Sequence, residues 1–304
     1  MGSKSATSYC HARLSNFGLG NKLFVWARAF VFSRLNHLPL VVTGWLKFQI
    51  APILANGDLR LYLNYFQPTR EISAGKRFLL SLSLGVVIDP PIIAQDQSVP
   101  RIYEFKSIPH WSDLFGDIKP YREEIRTGLL AMLTPARRQE LARLNKPYIC
   151  VQVRMGDFRT LKPGEKFAQA GIARTPLNYF TELIQGIREI HGTELPVLIF
   201  SDGKPADLRE LLSLPGVKMA PRNTAIVDIL MMAGGHILAT SAVSTFGYWA
   251  GFLGDCVLIV HPDHIHQPIR PDSVNRIHYE GPAVGPPQQW PALLKENIRA
   301  IRFH

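Results

Sequence analysis

The sequence predicts an α/β protein built on parallel sheets, and three observations predict it. Residues 9–43 read as strand, Gly-rich turn, helix and short apolar strand. From residue 148 onward, apolar runs alternate with segments of helical period to the end of the chain. Between these stretches Asn145-Lys146-Pro147 breaks the pattern. Repeated strand–helix units wind a parallel sheet, because the crossover between parallel strands needs a helix. Two α/β domains follow, 1–145 and 146–304, with the last helix placed to pack back on the first.

Each element has its own warrant. Residues 9–15 form the first strand, and Asn16-Phe-Gly-Leu-Gly-Asn21 is the turn. Leu23, Phe24, Ala27, Phe30, Val31 and Leu35 recur at helical spacing over 22–36, and 38–43 is a buried strand. Prolines 52, 68, 90, 91, 100 and 109 predict short helices and irregular chain over 44–120. Residues 121–143 are helical, with a break or restart at Pro135. In the second half, strands are expected at 148–154, 195–200, 217–219, 236–240 and 256–260. Helices are expected after Pro176 and over 208–214, 226–233, 245–253 and 290–301, with 261–287 a loop. Thr175 is the expected N-cap of the helix that opens at Pro176.

Composition narrows the function. Of 304 residues, 46% are apolar and 19% charged, as in a folded globular chain. The net charge of +10 fits nucleic acid, an anionic membrane surface or a phosphorylated small molecule. The basic residues are scattered rather than blocked, which argues against nucleic acid. Three dispersed cysteines make neither a disulfide framework nor a metal cluster, and they suit reduced thiols in a cytosolic protein. Residues 237–254 carry no formal charge and approach membrane-spanning length. Their Ser, Thr and Gly content predicts a buried strand plus helix instead.

In wound sheets, ligands bind beyond the carboxyl ends of the strands. Here those ends are Val151-Gln-Val-Arg-Met-Gly-Asp157, Phe200-Ser-Asp202 and the run from Ser241 to Phe246, with Val227-Asp228 at a nearby helix start. An Arg, several Asp and a Ser-Thr turn on one rim suit a nucleoside diphosphate. Arg offers forked donors to phosphate, a helix start offers N–H groups, and a carboxylate accepts from ribose or base. Each feature alone also fits a structural ion pair or an ordinary cap. Gly18-Leu-Gly20 lacks the third Gly of a dinucleotide fingerprint, and no Lys-Ser/Thr follows as in a P-loop.

Together these segments resemble a family. Phe17-Gly-Leu-Gly-Asn-Lys-Leu-Phe24 resembles the amino-terminal Gly-Gly-Leu-Gly-Asn-Gln-Met-Phe signature of the alpha-1,2-fucosyltransferases. The 151–157 run is similar to the His-x-Arg-Arg-x-Asp motif shared with the alpha-1,6- and protein O-fucosyltransferases. Tyr179-Phe180, Ile199-Phe-Ser-Asp202, Asp228-Ile-Leu-Met-Met232 and Ser244-Thr-Phe-Gly-Tyr-Trp-Ala250 resemble further segments in the family's order. The chain departs from the pattern at Gln152 (usually His), Met155 (usually Arg) and Thr240 (usually Asn), and Ala242-Val243 stand as an insertion.

The resemblance implies a GT-B arrangement of two Rossmann-like domains and metal-independent, inverting transfer from GDP-fucose, with no cofactor. It implies that Arg154 holds the diphosphate and that Ser244, Thr245 and Phe246 line the phosphate and fucose. Asp228 would contact guanine, with Gln152, Ser201 and Asp202 at the same donor site. Gly18, Gly20 and Asn21 would close on the donor from the other domain. Asp157 and Glu165 are the candidate bases, and Arg159 is a candidate replacement for the charge lost at Met155. A glycan acceptor is expected against Trp45, Tyr62, Tyr65 and Trp111. Two other readings stay open: another donor, GDP-mannose or a UDP-sugar, and a non-catalytic nucleotide- or carbohydrate-binding protein. A cytoplasmic protein is expected, touching an anionic membrane peripherally through its basic surface.

Overall fold

The computed structural model describes residues 8–14, 17–45, 62, 64–68, 72–162, 164–165, 167–169, 171–263 and 267–303. Ser15, expected to end the first strand, Asn16, expected to open the Gly-rich turn, and most of residues 46–71 lie outside the described residues. The chain divides into two compact units, Met1–Arg138 and Gln139–His304.

The first unit holds a four-stranded parallel sheet in the order β2-β1-β4-β3. Its strands are β1 (Tyr9–Arg13), β2 (Leu40–Thr43), β3 (Gly85–Ile88) and β4 (Arg101–Phe105). Helix α1 (Leu19–Leu35) links β1 to β2 and buries most of its length, because Leu23, Phe24, Ala27, Val31 and Phe32 all turn inward. Phe32 packs on Tyr103 and Phe105 of β4. Helix α2 (Ala74–Ser83) lies on the other sheet face, where Leu80 meets Tyr9, Val41 and Ile102. Helix α3 (Arg122–Met132) buries Ile125 and Leu129, and α4 (Pro135–Ala142) restarts at the proline.

Two expectations here are corrected. Helix α1 begins at Leu19, so Gly20 and Asn21 belong to its first turn and Gly18 is its N-cap. The stretch read as short helices and irregular chain holds the short helix α2, but also the unexpected strands β3 and β4. Its prolines 90, 91 and 100 fall between β3 and β4, where no ladder bond is needed, so they bracket the strands rather than erase them.

The second unit holds a six-stranded parallel sheet in the order β10-β9-β8-β5-β6-β7. The elements run β5 (Ile149–Val153), α5 (Leu177–His191), β6 (Val197–Ser201), α6 (Arg209–Leu212), β7 (Val217–Met219) and α7 (Ala225–Gly234). They continue with β8 (Ile237–Thr240), α8 (Thr245–Leu253), β9 (Val257–Val260), α9 (Asp272–Asn275), β10 (Glu280–Gly281) and α10 (Ala292–Arg299). Strands β5, β8 and β9 are buried along their whole length, as continuous Val/Ile/Leu runs in a covered parallel sheet must be. On one face Phe180, Leu183, Ile184 and Ile187 of α5 pack with Leu294 and Ile298 of α10 and with Trp290. On the strands β5 and β8 the order reverses: β5 lies between β6 and β8, so the crevice at their carboxyl ends is the switch point.

The 237–254 run is β8, a turn and α8, and no described helix is long and apolar enough to cross a membrane. The 261–287 loop carries α9 and β10. It is organised by buried Arg270, whose guanidinium donates to the carbonyls of Cys256 (2.6 Å), His278 (3.0 Å) and Tyr279 (2.9 Å) and pairs with Glu280. That strand has only two residues, too short for a period-two signal.

Candidate functional site

The carboxyl ends of β5, β6 and β8 bring Arg154, Ser201, Asp202 and Ser241 together. Parallel register sets Val153 beside Ser201 and Gln152 beside Thr240. The Arg154 N–H donates to Ser241 Oγ (2.9 Å), and the Ser241 N–H donates to the Gln152 carbonyl (2.9 Å). The guanidinium lies between two carboxylates. One NH2 group donates to Asp202, and the other to Asp157 Oδ1 (2.5 Å). The other Asp202 oxygen accepts from the Met155 N–H (2.8 Å), and the Phe158 ring lies 5.6 Å from the guanidinium. Ser201 Oγ accepts from the Gly203 N–H (3.0 Å), which shapes the turn behind Asp202. A Cβ at Gly156 would meet the Asp202 carboxylate, so a side chain there would have to shift the carboxylate that holds Arg154.

Next to this cluster, Ser241–Thr245 forms a tight turn into α8. Val243 has φ +58°, a left-handed conformation that a β-branched residue adopts only under constraint. Two contacts impose it. The Val243 N–H donates to the Tyr248 hydroxyl (2.7 Å), and the Ala242 N–H donates to Thr175 Oγ1 (3.1 Å). Thr175 is therefore buried and spent on this turn, and the N-cap of α5 is Pro176. This corrects the expected capping role: a hydroxyl aimed at the Ala242 amide cannot also reach the α5 amides. Ser244 is the N-cap of α8 and makes no side-chain capping bond, so the first-turn N–H groups at Thr245 and Phe246 face the rim with their partial positive charge.

Gln152 is buried, with Oε1 accepting from Thr240 Oγ1 (3.1 Å). A Cβ at Gly247 would strike Thr240 and Gln152, so α8 sits directly on this pair. The two departures from the family pattern thus satisfy each other inside the sheet, and Gln152 packs beneath the rim. Met155, also buried, packs into the apolar core of the unit and against Gly203.

Asp228, on α7, accepts from Asn223 Nδ2 (3.0 Å). Burial pushes its carboxyl up to about 6, with Glu140 adding repulsion and Asn223 opposing the rise. Glu140 in turn accepts from the Thr224 N–H (2.9 Å). Glu165 and Arg159 form a two-pronged ion pair (2.7 and 2.5 Å), which with the Lys162 N–H holds the Glu165 carboxyl down near 2. A carboxylate held that low is a weak base, and Arg159 spends its charge on it. Among the described residues no group of three or more His, Cys, Asp or Glu could hold a metal ion.

Sequence reasoning missed His261. Extending the β8–β9 register past Thr240 and Val260 sets His261 beside Ser241, on the same rim. Its ring lies between Phe167 (4.5 Å) and Tyr179 (4.7 Å), and burial lowers its proton affinity while Asp263 partly restores it. A histidine ending an apolar strand was the available signal.

In the first unit, Gly18 N-caps α1 in an extended conformation, and a Cβ there would meet nothing within 4 Å. Lys22, one turn on, is buried and donates to the Gly44 carbonyl (2.5 Å). Of the aromatics expected to meet an acceptor, Trp45 and Tyr65 both contact Phe66, Tyr62 contacts Tyr65, and Trp111 stands exposed elsewhere on the unit's surface.

No protein-family model matches this chain, and no curated protein matches it in sequence. Solved structures do match in fold. The NodZ alpha-1,6-fucosyltransferase soaked with GDP-fucose superposes with a TM-score of 0.50 at 15% identity, over 83% of this chain and 95% of that one. The same enzyme co-crystallized with GDP gives 0.51 at 15% identity, over 83% and 95%. Fucosyltransferase NodZ from Bradyrhizobium, in its Se-Met form, gives 0.52 at 15% identity, over 83% and 94%. The fold, two Rossmann-like units with all-parallel sheets, is therefore that of these transferases.

Proposed function

We propose that this chain is an inverting fucosyltransferase that moves fucose from GDP-fucose to a glycan hydroxyl without a bound metal. The observation that carries this is Arg154 clasped by Asp157 and Asp202 beside the strained turn at the start of α8. Two things support the donor: the shared fold with an enzyme soaked with GDP-fucose, and the motif resemblance. The Phe17–Phe24 signature favours an alpha-1,2 linkage, and the fold relation to NodZ makes alpha-1,6 the second reading.

In this reading the bond between fucose C1 and the β-phosphate oxygen breaks as the acceptor oxygen attacks the opposite face. GDP leaves with the electron pair, and the acceptor hydroxyl gives its proton to a base. Arg154 and the N–H groups of Thr245 and Phe246 meet the charge that grows on the leaving diphosphate. Two carboxylates already offset Arg154, so a bound diphosphate must displace one of them. Asp157 is the more exposed of the two. Its release frees a carboxylate for the acceptor proton, and this ranks it above the ion-paired Glu165. Asp228 would accept from the guanine edge.

The test is the melting temperature with GDP, UDP and ADP at equal concentration in the presence of EDTA, followed by transfer from GDP-fucose to a glycan panel. A GDP-selective rise is expected, since a ligand of the native state stabilises it by mass action. A UDP-selective rise, or stabilisation without transfer, would overturn the donor or the activity respectively.

A further inference from the structure

We propose that the cleft between α1 and α3 of the first unit binds a small organic carboxylate with an apolar body. This is independent of the transfer reaction. The cleft has a volume of about 380 Å³, within the range of small-molecule sites. Trp26, Phe30 and Arg34 recur every four residues of α1 and make one wall, with His37 just past the helix end. The Trp26 and Phe30 rings stack, their centroids 5.2 Å apart. Opposite them α3 offers Gly128 and Ala131, small residues that leave room between the helices, and a Cβ at Gly128 would strike the Phe30 ring. The polar end of the cleft, at residues 34–37, lies about 24 Å along α1 from Gly18 at 1.5 Å per residue. The site is therefore at the end of α1 away from the Gly-rich turn.

The polar groups identify the ligand. The Arg34 guanidinium lies against the Phe30 ring (5.3 Å) and has no hydrogen bond or ion pair among the described residues. Among those residues no Asp or Glu lines the cleft. The helix ends beside it do not need the guanidinium either. At α1 the Leu38 N–H donates to the Ser33 carbonyl (3.0 Å) and the His37 N–H to the Arg34 carbonyl (3.3 Å), a Schellman closure. At α3 the Gln67 N–H donates to the Met132 carbonyl (2.8 Å), and the Gln67 side chain to the Leu133 carbonyl (3.0 Å). A guanidinium left over beside an apolar wall fits a carboxylate, since its fork matches two oxygens and one cation offsets one charge. A phosphate dianion would keep a charge uncompensated. His37 is a second, independent sign. It takes the left-handed position of the Schellman closure (φ +52°), where Gly is the usual residue, and it sets an imidazole on the cleft beside Arg34.

The full chain is tested by calorimetric titration with decanoate, 2-naphthoate and the uncharged decanol. Saturable binding of a carboxylate at one site is expected, with decanol at least about tenfold weaker. Tighter decanoate assigns the apolar body to an acyl chain, and tighter 2-naphthoate assigns it to a ring. Arg34→Gln should weaken the carboxylate by at least about tenfold and leave decanol unchanged, with the melting temperature nearly unchanged because the guanidinium holds no partner. His37→Gly should weaken the carboxylate a few-fold without lowering the melting temperature, since Gly suits the left-handed position. Ala131→Phe, at an exposed position of α3, should block both ligands by filling the cleft. The melting-temperature response to GDP should survive in all three variants. No saturable binding of either carboxylate, equal affinity for decanol, or wild-type affinity in Arg34→Gln overturns the proposal.

Discussion

Arg154 is restrained before any ligand arrives, and the two restraints are not equivalent. Asp202 also accepts the Met155 amide, so it is built into the turn, whereas Asp157 is the more exposed of the two. Replacing Asp157 with Asn should therefore separate binding from turnover. GDP should bind as tightly as before or a few-fold tighter, because a competing anion is gone, while kcat falls about a hundredfold or more. Calorimetric titration with GDP beside steady-state transfer decides this, and a parallel loss of both would remove Asp157 from the role of base. Asp228 makes a second residue-scale prediction. Its carboxyl is raised from the ordinary value near 3.8 to about 6 by burial. The folded protein therefore favours the protonated form, and that stabilisation, complete below the unfolded pKa, is lost as pH rises through 6. At pH 7 to 8 the ionised group costs roughly 1–3 kcal/mol. Asp228→Asn should raise denaturant stability at pH 8 and leave it nearly unchanged at pH 3.5. It should also lower the preference for GDP over UDP. A stability gain independent of pH would contradict the burial argument.

At the scale of elements, the turn from Ser241 to Thr245 stores strain so that the N-terminus of α8 points at the rim. Thr175, just ahead of α5, and Tyr248, within α8, hold the Ala242 and Val243 amides. A valine in the left-handed region costs on the order of 1–2 kcal/mol. Asn tolerates that region, and the half-buried Val243 side chain gives up less than a full apolar burial. Val243→Asn should therefore stabilise the protein by about 1 kcal/mol in urea unfolding, with GDP affinity within a few-fold of the original. A destabilised variant would mean that the Val243 side chain packs for more than the backbone strain it carries.

Across the whole molecule, the three cysteines are buried and form no disulfide among the described residues, one in the first unit and two in the second. Burial pushes the Cys10 and Cys150 thiols above their ordinary range, so the reactive thiolate is scarce in the native state. Labelling followed by mass spectrometry should then report opening of each unit separately, Cys10 for the first and Cys150 with Cys256 for the second. Saturating GDP is expected to slow labelling of Cys150 and Cys256. Unchanged labelling there, with GDP shown to bind, would place the nucleotide away from the 139–304 unit.

The sequence by itself determined the strand–helix alternation of the second half, because continuous Val/Ile/Leu runs and helical periods are local patterns. Strand β7 and helix α8 begin and end where the periodicity put them. It also determined that Arg154, Asp202 and Ser241 share a rim, since alternation implies a parallel sheet and a parallel sheet puts all carboxyl ends on one side. What it could not decide lay in partners distant along the chain. Thr175 reads locally as a cap, yet its hydroxyl goes to an amide 67 residues away. Gln152 and Thr240 read as departures from a motif, yet they bond each other across neighbouring strands 88 residues apart. His261 reads as the start of a loop, yet the sheet order sets it beside Ser241. Strands β3 and β4 were hidden because their prolines signal breaks without saying whether a strand lies on either side. In each case the deciding quantity is a contact made by chain closure, and only the tertiary structure contains it.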